Sequence, residues 1–249
     1  MKRFIDLCML LVVGVVAGCD SLTPQEHYER ARTAIAEGNL RTAQIELRNT
    51  LQKDVEHLGA RFLLGSIAET TGDYQAAIAD LERALDGGFG SEKVLPVLMR
   101  AKLGLGRHQE VLGELGERPT LSADLQAALG EAYFETYERD KAKALFEAAV
   151  SVDPASAYAH LGLAKIDLVN NDFSSARERL GRAVDADPQN RVALLMLGEL
   201  ELYEKNYQDA KSVFERARQI PDVTLRAHLG SVRADMLNGD LDGARTLVE

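Results

Sequence analysis

Apolar residues recur along the chain with two superposed rhythms, a local one of three and four residues and a long one of about 34. Small apolar residues stand at Ala43, Ala77, Ala142, Ala176, Ala210 and Ala244, with Val111 in the remaining place, at separations of 34, 34, 31, 34, 34 and 34. Four positions beyond each comes a larger apolar side chain: Leu47, Leu81, Leu115, Phe146, Leu180, Phe214 and Val248. Three further on, a small one returns as Thr50, Ala84, Ala149, Ala183 and Ala217, with Arg118 the exception. Steps of four and three share one face of a helix, so each set marks a short amphipathic helix whose buried stripe alternates small and large. A second stripe precedes it, read in Leu64-Gly65-Ala68, Leu129-Gly130-Tyr133 and Leu197-Gly198.

Between the two helices of a unit stands Gly38, Gly72, Gly106, Asn171 or Gly239, residues that accept the left-handed backbone ending a helix. The next residue is Asn39, Asp73, Asp172, Asn206 or Asp240, each able to cap the following helix. Asp153-Pro154 and Asp187-Pro188 punctuate junctions between units, where proline is expected in a first helical turn. Together these residues resemble the tetratricopeptide repeat over residues 25–249. The resemblance implies an all-α solenoid, a right-handed superhelix of about seven helix-turn-helix units near 24–57, 58–91, 92–122, 123–156, 157–190, 191–224 and 225–249, the last incomplete. The third unit carries Pro96, Gly113 and Gly116 and is three residues short, which predicts a short or frayed helix near 106–122. Leu247-Val248-Glu249 is not the polar cap with which a solenoid usually finishes, and the expectation is a longer array.

The first 18 residues break this rhythm. Met-Lys-Arg precedes an apolar stretch from Leu7 to Ala17, too short for the roughly 20 residues that cross a bilayer. It reads as a signal peptide, and Val16-Ala17-Gly18-Cys19 resembles the bacterial lipobox. That resemblance makes Cys19 the lipid attachment site, residues 19–24 a tether, and Asp20 an inner-membrane retention signal.

Charge and chemistry narrow the function. With 29 Lys and Arg against 39 Asp and Glu, the chain has no excess of basic charge for nucleic acid. Its two cysteines, Cys8 and Cys19, leave no disulfide to brace the body. His27, His57, His108, His160 and His228 are dispersed without metal-ligand spacing, so no metal and no cofactor are expected. Gly104-Leu105-Gly106 and Gly87-Gly88-Phe89-Gly90 lack the Lys-Ser/Thr of a phosphate loop and read as turns. Ser91-Glu92-Lys93 lacks partners for a nucleophile and the carboxylates are spread along helices as solvated faces, so a non-enzymatic protein is expected.

The family resemblance also implies a concave groove lined by the first helices. Its register aims Tyr28, Arg32, Phe62, Ser66, Lys93 and Arg100 at the groove in the N-terminal half, and Tyr158, Leu161, Lys165, Leu168, Leu195, Leu202, Leu229, Arg233 and Met236 in the C-terminal half. Where the family's carboxylate clamp requires Asn stand Arg32, Ser66, Arg100, Glu131, Lys165, Glu199 and Arg233, so that clamp is absent. The apolar row is suited to a protein or peptide partner, or it is core between successive repeats; register leaves both open. Finally, the segments 19–28, 38–49 and 93–98 resemble the PrsT family of tetratricopeptide lipoproteins associated with exosortase/PEP-CTERM sorting and exopolysaccharide loci. This implies a membrane-tethered, periplasm-facing scaffold. A pilus or outer-membrane assembly lipoprotein, and the targeting arm of a longer enzyme, share the same ingredients.

Overall fold

The computed structural model describes residues 21–220 and 223–248; the signal segment, Cys19, Asp20 and the side chain of Val248 lie outside the described residues. The described residues form helices and no strand: α1 (Pro24–Ala36), α2 (Leu40–Lys53), α3 (Leu58–Thr70), α4 (Tyr74–Asp86), α5 (Ser91–Gly104), α6 (His108–Leu115), α7 (Ala123–Glu135), α8 (Arg139–Val152), α9 (Ala157–Val169), α10 (Phe173–Ala186), α11 (Arg191–Tyr203), α12 (Tyr207–Ala217), α13 (Thr224–Asn238) and α14 (Leu241–Val248). Odd-numbered helices are the first, and even-numbered the second, of seven hairpins. They divide into two compact units, one ending at His57 and one beginning at Leu58.

In the first unit, α1 opens on a capping box in which Thr23 and Glu26 satisfy each other's backbone N–H groups. It packs on α2 with Ala31, Ala34, Ala43, Leu47 and Thr50 buried. His27, also buried, places Nδ1 2.5 Å from Glu46 Oε2.

In the second unit the hairpins whose second helices are α4, α8, α10 and α12 bury a small-large-small stripe. Ala77, Ala142, Ala176 and Ala210 are fully buried, as are Leu81, Leu180 and Phe214 four residues later. The large residue is a knob on which two first helices rest. Phe146 of α8 lies so close to α7 and α9 that a β-carbon added at Gly130 would sit 2.9 Å from its ring, and one at Gly162 only 2.2 Å. Phe214 serves Gly198 and Gly230 in the same way. Arg118 breaks the stripe because α6 ends at Leu115 after eight residues, leaving it exposed beyond the helix. Here the expected short helix of the third unit is found, whereas α5 runs unbroken through a buried Pro96.

All seven hairpins turn through the same left-handed residue. Gly38, Gly72, Gly106, Asn171 and Gly239 have φ between 60° and 83°, and so do Tyr137 at 66° and Lys205 at 67°, where no glycine or asparagine marks the place. Packing of the flanking helices enforces there a conformation that local propensity disfavours. Of the five capping residues, Asn39, Asp73, Asp172 and Asp240 accept from the backbone N–H three residues on. Asn206 does not cap; its Nδ2 donates to Glu201 Oε2 at 2.7 Å, helping to satisfy a carboxylate buried between helices. The junction prolines also differ from expectation, since Pro154 and Pro188 lie outside any helix. Each sits second in a turn begun by an aspartate, whose side chain accepts from the N–H of Ala155 or Gln189 and whose carbonyl accepts from Ser156 or Asn190.

Phe146→Ala removes a knob that two helices share and should cost about 3–5 kcal/mol in urea unfolding. Gly162→Ala at the same contact should cost about 1–3 kcal/mol through overpacking.

Candidate functional site: the first-helix face

Within the second unit, α3 packs on α5, α5 on α7 and α7 on α9, but α9 and α11 approach only weakly. Side-chain size accounts for the difference. Ala123, Ala127, Ala128 and Gly130 on α7 permit close backbones, whereas Leu161, Leu168, Leu195 and Met196 separate α9 from α11.

Towards the N-terminal side, this face is filled by its own side chains. Arg100 on α5 donates from Nε to Glu69 Oε1 on α3 at 3.3 Å, and its guanidinium lies 4.6 Å from the centre of the Tyr158 ring on α9. Burial alone would lower the Arg100 pKa; Tyr158 and Glu69 outweigh it and hold the guanidinium above its ordinary value. Burial pushes the Tyr158 phenol up to about 12, against the pull of Arg100. Beyond this cluster, Arg191 at the start of α11 reaches back to the second hairpin. Its Nη2 donates to the Tyr74 hydroxyl at 2.5 Å and its Nη1 to the Thr70 carbonyl, joining residues 117 and 121 positions apart.

The row that stands in place of a carboxylate clamp is neutralised internally. Lys165 pairs with Glu131 and Arg233 with Glu199, each partner 34 residues earlier, the second pair through two contacts of 3.0 and 3.1 Å. With Arg100 and Glu69, three cations of the face are matched by carboxylates of the preceding repeat.

Towards the C-terminal side the face opens into a cleft of about 380 Å³ lined by Leu168, Phe173, Val192, Leu195, Met196, Glu199, Leu200, Tyr203 and Arg226. Phe173 and Tyr203 form an aromatic wall, with ring centres 4.9 Å apart.

The residues aimed at the groove by register divide accordingly. Arg100 and Tyr158 meet, and Lys165 and Arg233 join the paired row. Leu161 and Leu202 are 7% and 5% exposed and belong to the core, whereas Leu195, 6% exposed, and half-buried Leu168 line the cleft. At the equivalent places of the last hairpin, Leu229 and Met236 are 55% and 57% exposed. Phe62 stacks on Phe89 at 5.1 Å along the core margin. In the first unit, Tyr28 packs its ring 4.6 Å from that of His57, and exposed Arg32 pairs with Glu29 of its own helix at 3.0 Å. Sequence reasoning missed Phe173, Val192, Met196, Leu200, Tyr203 and Arg226. Tyr203 follows Leu202 by one residue, a rotation of about 100° that exchanges core for surface.

Among the described residues, no group of three or more His, Cys, Asp or Glu side chains converges as a metal site, and no helix is long and apolar enough to cross a membrane.

Helical hairpins with a repeated turn geometry and small-large interlocking define an α-solenoid, a class of fold suited to protein-protein interaction. Tetratricopeptide repeat models match residues 28–92 and 133–197, and the chain is a tetratricopeptide repeat protein. It is similar in fold to a thermophilic repeat protein of Thermus thermophilus, with 21% identity, a TM-score of 0.57, and coverage of 72% of this chain and 99% of that one. A repeat protein of Parabacteroides merdae aligns at 16% identity and a TM-score of 0.51 over 90% of both chains. The human IFIT1 dimer aligns at 16% identity and 0.66, covering 91% of this chain and 58% of that one. No curated protein matches the sequence significantly.

Because the phenol of Tyr158 resists ionisation in the folded chain, its contribution to stability is complete below the ordinary value of 10.0 and is lost as pH rises towards 12. Tyr158→Phe should remove that part of the alkaline loss, read by thermal melting between pH 9 and pH 12.

Proposed function

We propose that this chain is a non-enzymatic, lipid-anchored scaffold of the bacterial cell envelope that holds a peptide segment of a partner protein in the cleft between α9, α11 and α13. The observation that carries the binding role is the open apolar cleft beside a face whose other charges are already paired. Such a surface gains by covering apolar area, and a helix or extended segment is the shape that fits a groove between helices. Nucleic acid is disfavoured by the chain's −10 charge and by the pairing of Arg100, Lys165 and Arg233.

The envelope assignment rests on the signal segment and lipobox. Cys19 is the acylated residue, the residues between it and the Thr23 cap of α1 are the tether, and Asp20 favours the inner membrane with the repeats facing the periplasm. The likeness of segments 19–28, 38–49 and 93–98 to PrsT lipoproteins supports a role in exosortase/PEP-CTERM protein sorting and exopolysaccharide export.

Two measurements test this reading. Mass spectrometry of the mature N-terminus in the native host should find Cys19 acylated, and Cys19→Ser should release the protein from membranes; an unmodified, membrane-free wild type overturns the anchor. On an array of envelope-protein peptides, Val192→Asp combined with Tyr203→Asp should weaken the strongest interactions by roughly tenfold or more. These positions are 41% and 67% exposed, so the pair leaves the core intact, unlike changes at Leu195.

A further inference from the structure

We infer that the cleft selects a segment in which a bulky apolar side chain is followed closely by an acidic residue, an inference that rests on the peptide-binding reading above. Of the two charged side chains lining the cleft, Glu199 is held by both contacts to Arg233. Arg226 is exposed, and no carboxylate among the described residues pairs with it. Among the described residues the cleft therefore presents one uncompensated positive charge at the edge of an apolar, aromatic-walled cavity.

Placement strengthens the charge. Arg226 stands in the first turn of α13, where the positive end of the helix dipole raises the potential at the same point. Size sets the rest of the requirement: about 380 Å³ between Phe173, Met196 and Tyr203 accommodates a leucine or aromatic side chain with part of its backbone. The Arg100 cluster and the Arg191 contact with Tyr74 and Thr70 occupy the face on the N-terminal side, so the segment is read at the C-terminal hairpins alone. Selection of acid is the opposite of what the chain's overall charge of −10 would produce, which separates a local effect from a general one.

The experiment uses the purified full-length chain and fluorescence polarisation of 12-residue peptides with a central Phe-Leu anchor flanked by Asp and Glu, by Lys, or by Asp and Glu with the anchor replaced by Ala. The acidic peptide should bind roughly three- to fivefold more tightly than the Lys peptide at low salt, and the gap should narrow as salt is raised. Arg226→Glu should reverse the order, while Lys143→Glu on α8, a charge reversal remote in the chain, should not; the Ala peptide should bind weakly in every case. Equal affinity for acidic and Lys peptides, or an order untouched by Arg226→Glu, overturns the selectivity and leaves the peptide scaffold standing. Failure of all anchored peptides to bind, with circular dichroism showing a folded chain, overturns both.

Discussion

One large side chain wedged between small ones, repeated at Leu81, Phe146, Leu180 and Phe214, is the constraint on which the second unit depends. Phe146 and Phe214 each lie where two glycines let first helices close over them, and Leu81 lies against Gly65 in the same manner. Dispersion and apolar burial at these knobs fix the distance between neighbouring hairpins. The spacing of the first helices follows from it, and so does the geometry of the face they form. Where the first helices carry alanine the face closes; where they carry leucine and methionine, between α9 and α11, it parts into a cleft.

Electrostatics on this face act mainly to satisfy the molecule itself. Alternating repeats contribute cation and carboxylate at positions 31 or 34 residues apart, so that each pair stitches one hairpin to its predecessor. Such pairs, half-shielded from water, add modestly to stability and strongly to register, because a shift of one hairpin would separate every charge from its partner. What this face leaves uncompensated among the described residues is apolar area and the guanidinium of Arg226. A surface of this kind discriminates by what it fails to compensate.

The periodic part of the architecture was legible because each repeat restates the same packing problem. Ala77, Leu81 and Ala84 announce their burial by spacing alone, and the shortness of α6 followed from Gly113 and Gly116. What escaped was decided between repeats. Tyr137 and Lys205 take the left-handed turn without the residue that would signal it, since the helices on either side leave the chain no other path. Asn206 was diverted from capping by a buried carboxylate five residues earlier, a demand invisible without the fold. The groove register identified the right helices and, for Arg100 and Tyr158, residues that meet. It could not separate Leu202 from Tyr203, because exposure there depends on how far the next hairpin reaches.

The contact of Arg191 with Tyr74 and Thr70 has a mechanical meaning. A solenoid whose hairpins touch only their neighbours extends under tension like a spring, each interface yielding in turn. A tie across 117 residues of chain converts the stretch between the second and sixth hairpins into a closed loop. Pulled gently it is stiff, because no single interface can open without the tie. Once that contact gives way the same stretch becomes compliant, so the stretch from the second to the sixth hairpin would answer a pull as a threshold.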